Sequence, residues 1–327
     1  MCLYPKLIKN KRYCKTKKNK GVIPPCPDER LRYVTAACGK CFECMKQKGR
    51  AWQVRLSEEI RQDPKAIFVT LTISDESWRK IKNAYIQLSD EDCIKKMVRL
   101  FLERVRKKTK KSLKHWLTTE RGGTNTERYH LHGLIWGENA EALTESLWQY
   151  GFVFIGTFVN ECTVNYITKY ITKTDEKHKD FIPTILCSAG IGADYLNRAD
   201  SELNRYRESK TNETYRLRNG VKLNLPIYYR NKLYTDEERE QLFLEKIKKG
   251  KVWIMGQECD IRDEATYFAM LRDAQKRARQ LHGDDPIKWD EAKYLRRLAR
   301  QRRRYVRLFQ ECGIPIKELA AMPSARI

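Results

Sequence analysis

The sequence predicts an α+β fold, in which helices pack on one antiparallel sheet, a Cys-rich segment precedes the sheet, and a basic, mainly helical region follows it. Three observations point there. Between residues 66 and 158, β-branched and aromatic runs recur at strand length. Stretches with apolar residues at helical spacing separate them. Beyond residue 180 the pattern becomes helical and rich in Lys and Arg.

The elements follow in order. Residues 1–35 are basic, carry Pro24, Pro25 and Pro27, and are expected to be irregular. Gly49 to Ile60 places Trp52, Leu56 and Ile60 on one side of a short helix that Asp63-Pro64 ends. Ala66 to Ile73 (AIFVTLTI) is a buried strand, and Ser74 or Asp75 can cap a following helix. Asp90 to Lys107 carries the helical stripe Ile94, Met97, Val98, Phe101, Leu102, Val105. His115 to Glu120 and Tyr129 to Trp136 form a hairpin around RGGTNTER. Asn139 to Tyr150 is helical, Phe152 to Phe158 extended and Val164 to Lys173 helical, which completes β-α-β-β-α-β-α. Asp236 to Lys249, Ile261 to His282 and Ile287 to Gln310 are the later helices. The expected division is a Cys-rich segment over 1–60, a sheet domain over 61–180 and a basic helical region over 181–327.

Composition narrows the function. The chain has 327 residues, and 66 Lys plus Arg against 42 Asp plus Glu leave a net charge of +24. Such an excess attracts polyanions, above all nucleic acid. No run reaches the roughly 18 apolar residues of a membrane span, so no membrane partner is expected. The opening MCLYPKLIKNKRY lacks the apolar core of a secretory signal. With 11 Cys in a reducing cytosol, clustered thiols point to a metal rather than to disulfides.

Two of the five histidines lie in YHLHGLIW. On a strand, residues i and i+2 share a face, so His130 and His132 stand within reach of one divalent ion while Leu131 faces the core. Hydrogen-bonded surface residues would show the same spacing. Pairing across the hairpin brings Glu120 beside them. Two imidazoles and a carboxylate suit Mg or Mn in phosphate chemistry. Glu127, in the loop, is the competing carboxylate.

The duplicated YITK at 166–173 has period four, so Tyr166 and Tyr170 stack along one helix face with Lys169 and Lys173 beside them. Such a Tyr pair is also a common packing surface. As chemistry, a phenol can attack a phosphodiester and keep the 5′ phosphate as an ester, and a Lys can stabilise the charge that develops.

Cys38, Cys41 and Cys44 form CxxCxxC, which suits a structural Zn or an iron–sulfur cluster, with Cys2, Cys14 or Cys26 as fourth ligand. Near the other end, Arg296, Arg297, Arg300, Arg302, Arg303, Arg304 and Arg307 alternate with Leu295, Leu298, Tyr305, Leu308 and Phe309. The apolar residues would dock this helix and leave the guanidinium groups for DNA phosphates, or simply for solvent.

FVTLTI, YHLHGLIW and YITKYITK, in this order and spacing, resemble the three motifs of HUH-type rolling-circle replication initiators. The pattern is most similar to the replication-associated proteins of microviruses of the gokushovirus type. The likeness extends to MCLYP, CGKCFECMKQKGRAWQVR, SAGIGADYL and LPIYYRNKLY, and so covers most of the chain. The resemblance implies metal ligands at His130, His132 and Glu120, nucleophiles at Tyr166 and Tyr170, and Cys2 as the fourth Cys ligand. It implies a site-specific endonuclease that nicks an origin, becomes 5′-phosphotyrosyl linked and rejoins the displaced strand into a circle. Its partners would be single-stranded and origin DNA with a host helicase and polymerase, in the cytoplasm of a bacterial host. Two rival readings are a transposase or relaxase of the same chemistry, and a non-catalytic nucleic-acid-binding zinc module.

Overall fold

The computed structural model describes residues 1–17, 19–122, 127–173, 178, 181–283 and 287–311. In chain order the regular elements are β1 (Lys6–Lys9), β2 (Tyr33–Ala36), α1 (Phe42–Gln62), β3 (Ile67–Thr72), α2 (Asp75–Ala84), α3 (Asp90–Thr109), β4 (Lys114–Arg121), β5 (Tyr129–Trp136), α4 (Ala140–Leu147), β6 (Val153–Gly156), α5 (Glu161–Thr172), β7 (Ile185–Cys187), β8 (Thr214–Arg216), β9 (Lys222–Asn224), α6 (Ile227–Leu233), α7 (Asp236–Lys249), β10 (Lys251–Ile254), β11 (Gln257–Asp260), α8 (Glu264–His282) and α9 (Glu291–Glu311). The chain divides into two compact units. One comprises Met1–Met45, Asn204–Asn212 and Arg230–Ile327, the other Lys46–Leu203 and Glu213–Tyr229.

The second unit is built on a five-stranded antiparallel sheet of order β6-β3-β5-β4-β7. Its strands alternate by residue type, so the two faces differ. Ile67, Val69 and Leu71 of β3, Leu131 and Ile135 of β5 and Leu117 of β4 join a core with Ile81 of α2, Ile94, Met97, Phe101 and Val105 of α3 and Leu143 of α4. The opposite face carries Thr70, His130, His132, Thr118 and Glu120. There α5 lies against β4 and β5, and Trp52 of α1 packs on Trp116 at 5.7 Å between ring centroids. Helix α1 approaches α5 closely, because Gly49 has no side chain to hold them apart: a Cβ there would already sit 3.7 Å from the Thr168 carbonyl.

Local chemistry fixes the helix ends. The Ser74 and Ser89 hydroxyls accept hydrogen bonds from Ser77 N–H and Asp92 N–H. Helix α3 begins with Asp90, Glu91 and Asp92 and ends with Arg106, Lys107 and Lys108, which complements its dipole. Helix α5 opens with a reciprocal capping box between Asn160 and Thr163.

The segment around SAGIGADYL is tied to α1 by buried carboxylates. Glu59 accepts from Gly192 N–H at 2.5 Å and from Lys114 Nζ at 2.6 Å. Glu58 accepts from Arg198 Nη1 at 2.6 Å and from the Tyr215 hydroxyl. Arg55 is sandwiched between Trp52 and Tyr228, with its guanidinium carbon 4.1 Å and 4.0 Å from the two rings.

In the first unit, the segment expected to be irregular contains the β1–β2 pair, with Leu7 opposite Thr35. Buried Leu3, Tyr4 and Leu7 supply the apolar anchor that its proline content obscures, and they join a core with Val252, Ile254, Tyr267, Phe268, Leu271 and Leu298. Gln275 donates to Leu3 C=O at 2.7 Å and Trp289 to Pro5 C=O at 2.9 Å. The β10–β11 hairpin interrupts the region expected to be helical. Its Met255-Gly256 turn has positive φ at both residues, which a search for helical periodicity passes over. Among the described residues no helix is long and apolar enough to cross a membrane.

Candidate active site

The antiparallel register places Glu120 opposite His130, and Thr118 and Thr70 opposite His132. His132 is 7% exposed and both of its ring nitrogens are engaged. Nδ1 lies 3.0 Å from Thr70 Oγ1, and Nε2 lies 2.6 Å from Glu120 Oε2. These two contacts hold the imidazole upright on the sheet. The His130 ring is nearly parallel to it, 6.2 Å away between centroids. Burial lowers the His130 pKa and the neighbouring His132 lowers it further, so the neutral, ligand-competent form is favoured.

Glu120 is half-buried. Burial would raise its pKa, but His132 and Lys173 together outweigh that and hold the carboxyl below its ordinary value. Lys173 Nζ pairs with Glu120 Oε1 and lies 5.6 Å from the Tyr170 ring centroid. Glu127 is directed elsewhere and lies 3.8 Å from His178.

Helix α5 delivers the tyrosines to this face. Tyr170 stacks on His132 with centroids 4.1 Å apart and planes 6° apart, and donates its hydroxyl to the Tyr166 oxygen at 2.6 Å. The two tyrosine rings are perpendicular at 5.3 Å. Burial and then the Tyr166 contact push the Tyr170 phenol well above its ordinary pKa. Tyr166 is 48% exposed and its ring meets Phe68 edge-on at 6.0 Å. Lys169 is exposed and has no ion-pair partner among the described residues.

The structure thus gathers His130, His132, Glu120, Tyr166, Tyr170 and Lys173 on one face. Its donor chemistry suits a hard divalent ion, with the Glu120–His132 contact marking where a cation would replace a shared proton. The three donors do not lie as close together as the four sulfurs described next. Thr70, which orients His132, went unremarked in the sequence. The alternation of FVTLTI carries the signal, since Thr70 and Thr72 stand opposite the two histidines.

In the first unit, the sulfurs of Cys2, Cys38, Cys41 and Cys44 all lie within 4.8 Å of one another, and among the described residues no other group of three or more potential ligands is so tightly gathered. Contacts with Cys2 and its neighbours pull Cys38 down and push Cys41 and Cys44 up, because four crowded thiols cannot all ionise unless a cation offsets the charge. The cluster could bind a metal such as Zn. Cys14 and Cys26 stand outside it, directed at the carbonyls of Asn10 and Asp28.

In the same unit α9 docks through buried Tyr294, Leu298 and Tyr305, and Arg296, Arg297, Arg300, Arg302, Arg303, Arg304 and Arg307 are exposed. Several are engaged within the chain: Arg302 with Glu264 at 3.3 Å, Arg304 with Glu29 at 2.8 Å, and Arg297 with Leu7 C=O at 3.3 Å. Arg300, Arg303 and Arg307 have no ion-pair partner among the described residues.

The sheet and its contents are those of an α+β protein with a polar, tyrosine-bearing sheet face. Residues 66–175, the stretch that holds this face, match a family of viral-type replication-associated proteins typified by ORF2. The chain is similar to the replication-associated protein ORF2 of Spiroplasma virus 4, 26% identical over 271 residues that cover 73% of this chain and 81% of the relative. Both likenesses support a viral replication protein. No solved structure matches the chain.

Proposed function

We propose that the chain is an HUH-type rolling-circle replication initiator of a bacterial virus, which nicks single-stranded origin DNA and joins it to a tyrosine. One observation carries this reading: the paired tyrosines of α5 lie against the His-hydrophobic-His strand, with Tyr170 stacked on His132 at 4.1 Å.

In the forward step a tyrosine oxygen attacks the scissile phosphorus. The phenol proton is released and the 3′ oxygen leaves as a free 3′ hydroxyl, so a 5′-phosphotyrosyl ester forms and the bond energy is retained. His130, His132 and Glu120 would hold Mg or Mn, which when bound supplies electrophilic assistance at the phosphate. Thr70 fixes the His132 ring. Lys173 and Lys169 would stabilise negative charge as it develops. The second tyrosine then cleaves the regenerated origin, and the first ester is released by attack of the new 3′ hydroxyl, which closes the circle.

A host polymerase would extend the nicked strand and a host helicase would unwind it, all within the infected bacterium. The nuclease function belongs to residues 61–180. The four Cys would hold a structural Zn that fixes the N-terminal segment, and the free guanidinium groups of α9 would contact DNA phosphates. The test is incubation of the purified full chain with origin-bearing single-stranded DNA and Mg or Mn. A covalent protein–DNA adduct that survives denaturation is expected. Its absence under every divalent ion, with DNA binding intact, would overturn the reading in favour of a non-catalytic binding protein.

A further inference from the structure

The edge strand β6 and its flanks expose three phenylalanines within seven residues: Phe152 at 68%, Phe154 at 52% and Phe158 at 81%. A chain of this charge gains nothing in stability by leaving three large apolar side chains in water at one place. Their position is informative. β6 pairs with β3 so that Phe154 stands opposite Thr70, on the face that carries the histidines. Phe154 meets Phe68 edge-on at 6.2 Å, Phe68 meets Tyr166 at 6.0 Å, and Tyr166 meets Tyr170 at 5.3 Å. An aromatic row therefore runs from the sheet edge to the tyrosine pair, with the exposed Lys169 on the same helix as that pair.

We infer that Phe152 and Phe154, continuing through Phe68, form a stacking subsite for the unpaired bases of single-stranded DNA that flank the scissile phosphate. The inference rests on the nicking reading for its location and deepens it by naming how the strand is held. Aromatic rings accept any base on its π face, whereas a base already paired in a duplex offers only its edges. The subsite thus selects melted over duplex DNA, without reading sequence. Cationic side chains track the phosphates while the rings take the bases, the usual division of labour in single-strand binding. The occupant is nucleic acid rather than an apolar protein surface, because the patch is continuous with the proposed nucleophiles and the chain is strongly cationic.

The test measures binding of a labelled oligothymidylate, and of an abasic deoxyribose-phosphate oligomer of the same length, in the absence of divalent ions. Phe152→Ala and Phe154→Ala should each weaken oligothymidylate binding by roughly ten-fold, the order expected for one lost base stack. Both should leave the abasic oligomer unchanged. Phe154→Tyr should restore binding, and Phe154→Leu, of similar bulk but without a ring, should not. Equal loss on both oligomers would overturn the proposal, since it would mean a structural or charge effect. So would unchanged oligothymidylate binding accompanied by loss of self-association, which would assign the patch to protein contacts. Because no cleavage is read, these outcomes are separate from the covalent-adduct test: the stacking subsite can fail while adducts form, and the adduct can fail while stacking stands.

Discussion

Tyr170 lies flat on His132, with centroids 4.1 Å apart and planes within 6°. The same His132 contacts Glu120 at 2.6 Å and Thr70 at 3.0 Å. One imidazole therefore both positions a proposed nucleophile and supplies a proposed metal donor, and two substitutions separate the roles. His132→Phe keeps a ring under Tyr170 and removes both nitrogens. His130→Ala removes only a donor. Both should abolish adduct formation on a short origin oligonucleotide while leaving thermal unfolding and DNA binding close to wild type. Normal nicking by both variants in the presence of chelator would remove the metal from the mechanism.

Lys173 occupies one oxygen of Glu120, so an incoming divalent ion must displace or share it. Lys173→Met should raise the affinity of the chain for Mn, read by titration calorimetry, and should slow cleavage, because the cation that would stabilise the phosphate is lost. Unchanged Mn affinity would show that Glu120 is not a ligand.

The Cys cluster makes a separate prediction. Wild-type protein purified without chelator should carry one tightly bound Zn, and cobalt substitution should give thiolate-to-metal absorption. Cys41→Ser should lose the metal and destabilise the first unit, where Cys41 is fully buried beside Cys2 and Cys44. Elemental analysis that finds no metal in the wild type would refute the site.

Gly192 has φ +71°, and a Cβ there would sit 2.4 Å from Arg55 C=O and 2.9 Å from the Tyr229 hydroxyl. Backbone must move to admit any side chain. Gly192→Ala should cost on the order of 3 kcal/mol in urea unfolding, from the left-handed backbone and the clash together. A variant as stable as wild type would show that the SAGIGADYL turn repacks freely.

The sheet was legible because its residue types are unambiguous. FVTLTI and YHLHGLIW alternate so strictly that strand and face follow from period two alone, and the register that brings Glu120 to His130 follows from the hairpin. Strand β7 was missed: Ile185–Cys187 is three residues long behind Pro183, too short to show alternation, and it becomes a strand only because β4 offers it an edge. Helix α1 was read as beginning at Gly49 because the Cys motif hides its first turns, whereas it starts at Phe42 inside CxxCxxC. The tie between Glu58 and Tyr215 spans 157 positions, a distance over which one sequence gives no pairing signal.

The sharpest prediction concerns the two tyrosines, which share one hydrogen bond but differ in setting. Tyr166 is 48% exposed, whereas Tyr170 is half-buried on His132 and donates its proton to Tyr166. That donation and burial favour the neutral Tyr170 phenol, so Tyr166 is the readier first nucleophile and Tyr170 becomes available once Tyr166 is esterified and can no longer receive the bond in the same way. Tyr170→Phe should therefore still form an adduct on a single-stranded origin oligonucleotide, through Tyr166. Tyr166→Phe should form it more slowly, through Tyr170. Neither single variant should sustain repeated rounds that yield closed circles, because the second transfer needs a free phenol while the first still holds DNA. The double variant should form no adduct. Phe keeps each ring and its packing, so a lost adduct reports lost hydroxyl chemistry rather than a cavity. Mass spectrometry of tryptic peptides would place the DNA on residue 166 or 170 in each case. An adduct on the double Phe variant would sink tyrosine chemistry altogether. One single variant completing multiple rounds at the wild-type rate would leave a single nucleophile, with the second YITK tyrosine serving only to pack and orient the first.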